Sequence, residues 1–249
     1  MKNISYLLSF LFVFSLNAQK NKNGNLYDKH PGIDLVASFH KAYAAGDIDK
    51  ASEILHDDVQ WLDGNTNNTV WGGKDRILGN INNFKNNFNY VSFNDSPGAY
   101  PDALEYKKDG NWVQSWFNVY GVHKVTGVEL DHPVLRIYGL NDDSTKIVGI
   151  IEYSNKRNFD QIANARTDMK NGTIYMSHQH INTVRKVQFA YQNGDVENAI
   201  SFFHENATIN DINESKIMNM DETLERDGKM FADWAVTDLI EVGYPDYLE

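Results

Sequence analysis

The chain has 249 residues, with 34 acidic against 23 basic side chains and a formal net charge of −11. It has no cysteine, which excludes disulfides, thiol catalysis, cysteine-bound metals and a lipid-modified amino-terminal cysteine. The acidic balance argues against nucleic acid and anionic membrane surfaces as partners.

The first residues read as a secretory signal peptide: Lys2, an apolar run from Tyr6 to Leu16, then Asn17-Ala18-Gln19. The run is shorter than the roughly 20 apolar residues a spanning helix needs. Cleavage after Ala18 is therefore expected, giving a periplasmic or secreted chain with no membrane contact after cleavage. Residues 19–30 are polar and read as a loose leader.

Pro31 opens a helix, a position where its missing N–H costs nothing, and Ile33, Val36, Phe39 and Tyr43 form its apolar stripe. Gly46-Asp47 ends that helix and caps a second, whose buried face is Ile48, Ala51, Ile54 and Leu55. His56 is expected to close this helix at its negative end. A short strand with Val59 and Trp61 follows, then a third helix carrying Ile77, Ile81, Phe84 and Phe88. Beyond it the period falls from about 3.6 to 2. Tyr90–Asn94, Trp112–Lys124, 128–140 and 146–154 read as strands, the last two joined by a turn at Asn141-Asp142-Asp143. On the long strand, Val113, Ser115, Phe117 and Val119 share one face, and Gln114, Trp116, Asn118 and Tyr120 share the other. Three helices followed by antiparallel strands make an α+β domain over residues 31–156, with the helices packed on one face of a curved, mostly antiparallel sheet.

The chain then starts again. Residues 39–63 and 187–211 align at a constant offset of 148, which superposes Tyr43 on Tyr191, Gly46-Asp47 on Gly194-Asp195, His56 on His204 and Asp63 on Asp211. Residues 157–177 read as a partly helical, exposed linker, and 178–249 as a partial second copy. That copy has helices around Ile181–Tyr191 and Val196–Phe203, a strand at 207–211, a helix from Asp221 to about Trp234 and a last short strand. The three long strands of the first copy have no counterpart. Such a half-copy would expose apolar surface, so the expectation is a piece of a longer protein or a partner surface that completes it.

The strings GDIDKASEILHDDVQWLD, VWGGKDRI, WVQSWFNVYGVHKVTG and STKIVGIIEYSN resemble the nuclear-transport-factor-2-like superfamily, which includes SnoaL-like cyclases and ketosteroid isomerases. The resemblance covers residues 33–156 fully and 181–249 in part. It implies a cone-shaped domain with a pocket between sheet and helices, lined mainly by apolar and aromatic groups. It places Asp63, and Asp211 in the second copy, where the isomerases carry their general base. A carboxylate in an apolar pocket has its pKa raised toward values useful for proton transfer. Phe39 stands at the position of the oxyanion-hole tyrosine and Arg136 near that of the neutral aspartic acid. That pair is not reproduced, which argues against steroid isomerisation by the known constellation.

The residues themselves leave alternatives. Asp63 is a catalytic carboxylate, or caps the turn before Gly64-Asn65. Glu152, in phase with Val148 and Ile150, is the second catalytic carboxylate if it points inward. Trp61, Trp71, Trp116 and Tyr120 wall the pocket or fill the core. Arg136 binds a ligand carboxylate or pairs with Asp63. His123 and His132 lie on neighbouring strands and are expected to face each other, with Asp131-His132-Pro133 marking a bulge or rim. His178-Gln179-His180 reads as surface histidines at a helix start rather than a metal clip. Neither metal nor cofactor is expected. The leading expectation is a protein that binds a small, largely apolar ligand and carries metal-independent acid–base chemistry. The competing expectation is a non-catalytic association module, pairing through its sheet as a homodimer or within one chain.

Overall fold

The computed structural model describes residues 23–67, 69–155, 157–171, 173–210, 216–236, 238–239 and 245–248. The expected signal peptide at 1–18 and Asp211 lie outside the described residues. Among the described residues, no helix is long and apolar enough to cross a membrane.

Helix α1 spans Pro31–Ala45, with Pro31 in its first turn and the His30 side chain accepting the Gly32 N–H at 3.0 Å. It ends at Gly46, whose φ of 65° is left-handed and whose N–H meets the Ala42 and Tyr43 carbonyls. Asp47 then caps α2 (Ile48–Ile54) by accepting the Lys50 N–H. Helix α3 (Lys74–Asn87) buries Ile77, Ile81 and Phe84. These three helices lie against one face of an eight-stranded sheet. Its order is β1 (Gly24–Tyr27), β5 (Asp102–Tyr106), β6 (Asn111–His123), β7 (Glu129–Leu140), β8 (Ile147–Ser154), β2 (Leu55–Asp63) and β3 (Thr69–Gly72). Strand β4 (Phe88–Asp95) pairs with the second half of β6, beside the half that pairs β5. Every pairing is antiparallel except β2 with β8.

The α+β domain expected from the sequence is thus formed, with three strand additions, β1, β3 and β5. Residues 24–27, expected to be a loose leader, pair with β5 at the sheet edge. Edge pairing uses backbone groups, and the polar sequence GNLY gives no alternation to announce it. Strand β5 was likewise silent. Register shifts in β2, β4 and β8 interrupt the ladders and bend those strands locally. The core between the layers centres on Phe39, Phe117, Tyr138, Leu130, Ile77 and Ile81.

His56 differs from expectation: it is the second residue of β2, and its Nδ1 accepts the Asp58 N–H at 3.1 Å. His204 repeats this bond with Asn206 at 3.1 Å. The internal repeat also reaches further upstream than sequence similarity does. His178, 148 residues after His30, caps α5 (Gln179–Gln192) through the His180 N–H, as His30 caps α1.

After β8 come α4 (Arg157–Asn164), β9 (Met169–Asn171) and β10 (Ile174–Ser177). The second copy then supplies α5, α6 (Val196–Ile200) capped by Asp195, the hairpin β11 (Thr208–Asn210) and β12 (Ile217–Asn219), and α7 (Met220–Asp233). Strand β13 (Tyr247–Leu248) adds to β10, which also pairs β9. Helices α5 and α6 face the outer side of the first copy's sheet. Asn193 Nδ2 donates to the Tyr120 hydroxyl at 2.9 Å, and Gln192 Nε2 donates to Glu129 at 3.3 Å. Tyr90, at a bulge with φ of 57°, donates its hydroxyl proton to Asp195 at 2.7 Å and accepts from Asn198 at 2.8 Å. The approach is close at Gly127 (φ 68°), where a Cβ would lie 2.8 Å from the Asn182 carbonyl oxygen and the Lys186 nitrogen of α5. The two copies therefore meet sheet against helix, because the second presents its helical half.

Candidate functional site

Between the sheet's inner face and the helices lies a cavity of about 300 Å³, within the range of small-ligand sites. Alternation along β7 aims His132, Val134, Arg136 and Tyr138 inward, and β8 adds Ile150 and Glu152. Strand β2 contributes Trp61, β3 Trp71, α1 Tyr43, α3 Arg76, Asn80 and Phe84, and β4 Phe93.

The centre of the wall is Arg136, 5% exposed. Its Nε donates to Glu152 Oε2 at 2.8 Å, and the Ser154 hydroxyl donates to Glu152 Oε1 at 2.9 Å. The guanidinium carbon lies 5.3 Å from the Tyr43 ring centre, 5.4 Å from Phe117, 5.7 Å from Phe93 and 5.9 Å from Trp61. Those ring faces are negative and stabilise a cation that water does not reach. Burial works against the charge, while Glu152, Tyr138 and Tyr43 work for it, and the balance holds Arg136 above its ordinary pKa. Arginine and glutamate neutralise each other inside the cavity.

The neighbouring titratable groups are held neutral. His40 Nε2 lies 2.6 Å from the Tyr138 hydroxyl, and its ring stacks on Phe93. Burial, helped by the Arg136 charge, pushes His40 down to about 3. Burial raises Tyr43 and takes Tyr138 up to about 12. The Tyr43 hydroxyl donates to Asn80. His132, 5% exposed, is also lowered, by burial first.

Two polar atoms break this pattern of satisfaction. Trp61 Nε1 and His132 Nδ1 are buried without a hydrogen-bond partner among the described residues, and both residues line the cavity. Leaving such a group unmade costs about 1–3 kcal/mol. The indole Nε1–H only donates, and a neutral imidazole nitrogen donates or accepts.

Of the residues singled out in the sequence, the structure brings Trp61, Trp71, Arg136 and Glu152 together at the cavity. Trp61 and Trp71 meet edge to face at 4.9 Å. Trp116 and Tyr120 do not join them. They occupy the outer face of β6, because Val113, Ser115, Phe117 and Val119 take the buried phase. Asp63, 4% exposed, is in register with Glu152 across β2 and β8, but it is not part of the cavity wall. Its Oδ1 accepts the Asn65 N–H at 2.9 Å, the turn-capping role. Arg136 pairs with Glu152. His123 and His132 do not face each other: His123 lines a separate cavity and binds Thr126. Sequence reasoning missed Tyr43, Asn80 and Phe93 as wall residues and did not assign His132 to the site. His132 shares the strand phase of Arg136, which was a legible signal. Among the described residues, no three of His, Asp or Glu converge as a metal site.

No family model and no curated protein matches the sequence. Solved structures are similar in fold. PrhC from Penicillium brasilianum NBRC 6234 is 11% identical, covers 55% of this chain and 89% of its own, and has a TM-score of 0.47. BvnE pinacolase from Penicillium brevicompactum is 10% identical over 59% and 96%, also at 0.47. A putative SnoaL-like polyketide cyclase from Shewanella denitrificans OS-217 is 13% identical over 55% and 99%, at 0.41. Likeness at this level concerns the fold, and chemistry has to be argued from the site. The helix–helix–strand–helix–strands order, the bent sheet closed by three helices and the cavity between them are the arrangement that the sequence resemblance to the nuclear-transport-factor-2-like superfamily implies.

Proposed function

We propose that the chain binds a small, neutral, largely apolar molecule in this cavity, through one hydrogen-bond-accepting group such as a ketone oxygen. The carrying observation is the pair of unpartnered buried atoms, Trp61 Nε1 and His132 Nδ1, in a wall made mostly of aromatic and aliphatic side chains around the Arg136–Glu152 pair. Arg136 and Glu152 already compensate each other, so the buried end of the cavity offers a charged ligand no free counter-ion, and Arg76, the other cation of the wall, is exposed to solvent. A carbonyl oxygen at Trp61 would satisfy the indole N–H.

The same placement supports proton transfer. With a ketone oxygen on Trp61, His132 Nδ1 would take a proton from the adjacent carbon. The C–H electron pair moves into the forming enolate, and its oxygen charge is met by the indole N–H. The base role expected of Asp63 falls to His132 in this reading, because His132 borders the cavity. Glu152 positions Arg136. Export to the periplasm or beyond, expected from Lys2 and the Tyr6–Leu16 run, belongs to the same proposal.

The test is binding of acetophenone against ethylbenzene, two molecules of nearly equal size, followed by tryptophan fluorescence. The ketone should bind at least about tenfold more tightly, the worth of one well-made hydrogen bond to a buried donor. In Trp61→Phe that advantage should vanish while ethylbenzene affinity stays. Equal binding of both molecules by the unmodified protein, or of neither, would contradict the reading.

A further inference from the structure

A second cavity, of about 190 Å³, lies beside the first and is lined by Phe88, His123, Ile162, Arg166 and the amides Asn83 and Asn87, with Phe159. Phe159 also lines the first cavity. The partition between the two spaces is aromatic. Phe84 faces the first and Phe88 the second, their rings stacked at 4.9 Å, and Phe159 stands over the edge with its ring 5.8 Å from His132. Phe84 and Phe88 are 7% and 6% exposed, fixed in the core, whereas Phe159 is 38% exposed on α4. Only the Phe159 side of this wall can yield without disturbing the core.

The far end of the second cavity differs in chemistry. Arg166 is exposed and points a guanidinium nitrogen at His123 Nε2, 3.0 Å away. Arginine only donates, so Nε2 accepts and the ring stays neutral. Burial, then the charges of Arg166 and Lys186, push His123 down to about 4. This is a locally cationic corner on a chain of net charge −11. Arg166 presents further N–H groups in a fork that suits a carboxylate. Its backbone position is fixed from the second copy, where Asn182 Nδ2 donates to the neighbouring Ala165 carbonyl at 2.9 Å.

We propose that Phe159 sets the length of molecule this site accepts, and that the second cavity seats an acidic group at the far end of a longer ligand, held by Arg166. The inference rests on the first cavity being a ligand site. With Phe159 in place the site holds a compact molecule; with its ring withdrawn, the two cavities form one elongated site, apolar at one end and cationic at the other.

The experiment compares acetophenone, phenylhexanoic acid and the methyl ester of that acid on the unmodified protein, Phe159→Ala, Phe159→Trp and the double variant Phe159→Ala/Arg166→Gln, each checked for native circular dichroism. Phe159→Ala should tighten phenylhexanoic acid by about tenfold or more and leave acetophenone nearly unchanged. Phe159→Trp should weaken the long acid. Adding Arg166→Gln should remove the gain for the acid and keep it for the ester. If acetophenone binds but Phe159→Ala shifts all three molecules by one common factor, or if the acid's gain survives Arg166→Gln, this inference is overturned and the cavity reading stands. If acetophenone binds neither the unmodified protein nor Phe159→Ala, both fall together.

Discussion

Arg136→Ala is expected to destabilise the protein by about 3–5 kcal/mol, the cost of leaving one member of a buried ion pair unpaired. Arg136 and Glu152 are 5% and 8% exposed and joined at 2.8 Å, so the orphaned carboxylate would have little water to turn to. The loss also opens space among Tyr43, Trp61, Phe93 and Phe117, which surround the guanidinium, and adds a cavity term. Arg136→Met/Glu152→Gln, which keeps volume and removes both charges, should recover at least half of that stability. Urea titration followed by tryptophan fluorescence measures both variants. If the single variant loses less than about 1 kcal/mol, the range of an exposed pair, the pair does not hold the cavity together.

Acidification from pH 7 to pH 5 is expected to destabilise the fold through its buried histidines. An unfolded histidine takes up its proton near pH 6.5, whereas His40 and His123 in the folded chain wait until about 3 and about 4. Burial comes first in both cases, and it lowers His132 as well. Between those limits the unfolded chain binds more protons than the folded one, so stability falls as pH falls through about 6.5. At about 1.4 kcal/mol per pH unit, His40 removes about 2 kcal/mol by pH 5, and His123, which touches the exposed Arg166, removes less. Glu129 runs the other way. Burial first, then Asp131 and Asp238, raise it to about 7, so its contribution is lost as pH rises from its unfolded value toward 7 and regained on acidification. The net loss of the unmodified protein is therefore smaller than the histidine sum, and His40→Gln isolates one share. Its loss between pH 7 and pH 5 should be about 2 kcal/mol less than that of the unmodified protein. Equal losses would mean that His40 takes up its proton alike in both states.

Much of this fold was legible because its signals are side-chain patterns. The helical stripe Val36–Phe39–Tyr43, the Gly46-Asp47 junction and the alternation along β6 to β8 each fix a buried face. Strand β1 was not legible, since its pairing with β5 runs through backbone atoms under a polar sequence. For the site, alternation sorts β6 into two sets, but both contain aromatic residues, so it does not say which set faces inward. Trp116 and Tyr120 therefore looked like cavity walls. The outer face needs such residues too, as the bond from Asn193 to the Tyr120 hydroxyl shows. The resemblance located Asp63 on the correct strand phase, yet a two-residue turn takes its carboxylate. Phe159 carried no signal at all. It belongs to the segment between the copies, which repeats nothing, and only the chain's return across β7 brings it to His132.

The proposed role of Trp61 is to offer its indole N–H to a ligand in the cavity. It is tested most directly by the five tryptophan indole resonances in proton–nitrogen correlation spectra, recorded as acetophenone is added. The Trp61 resonance, assigned by its loss in Trp61→Phe, should move downfield as its N–H gains an acceptor. Trp116 and Trp112, on the outer face of β6, should stay in place. A Trp61 resonance that does not move at saturating ketone, or one that moves no more than Trp112 and Trp116, would exclude that role.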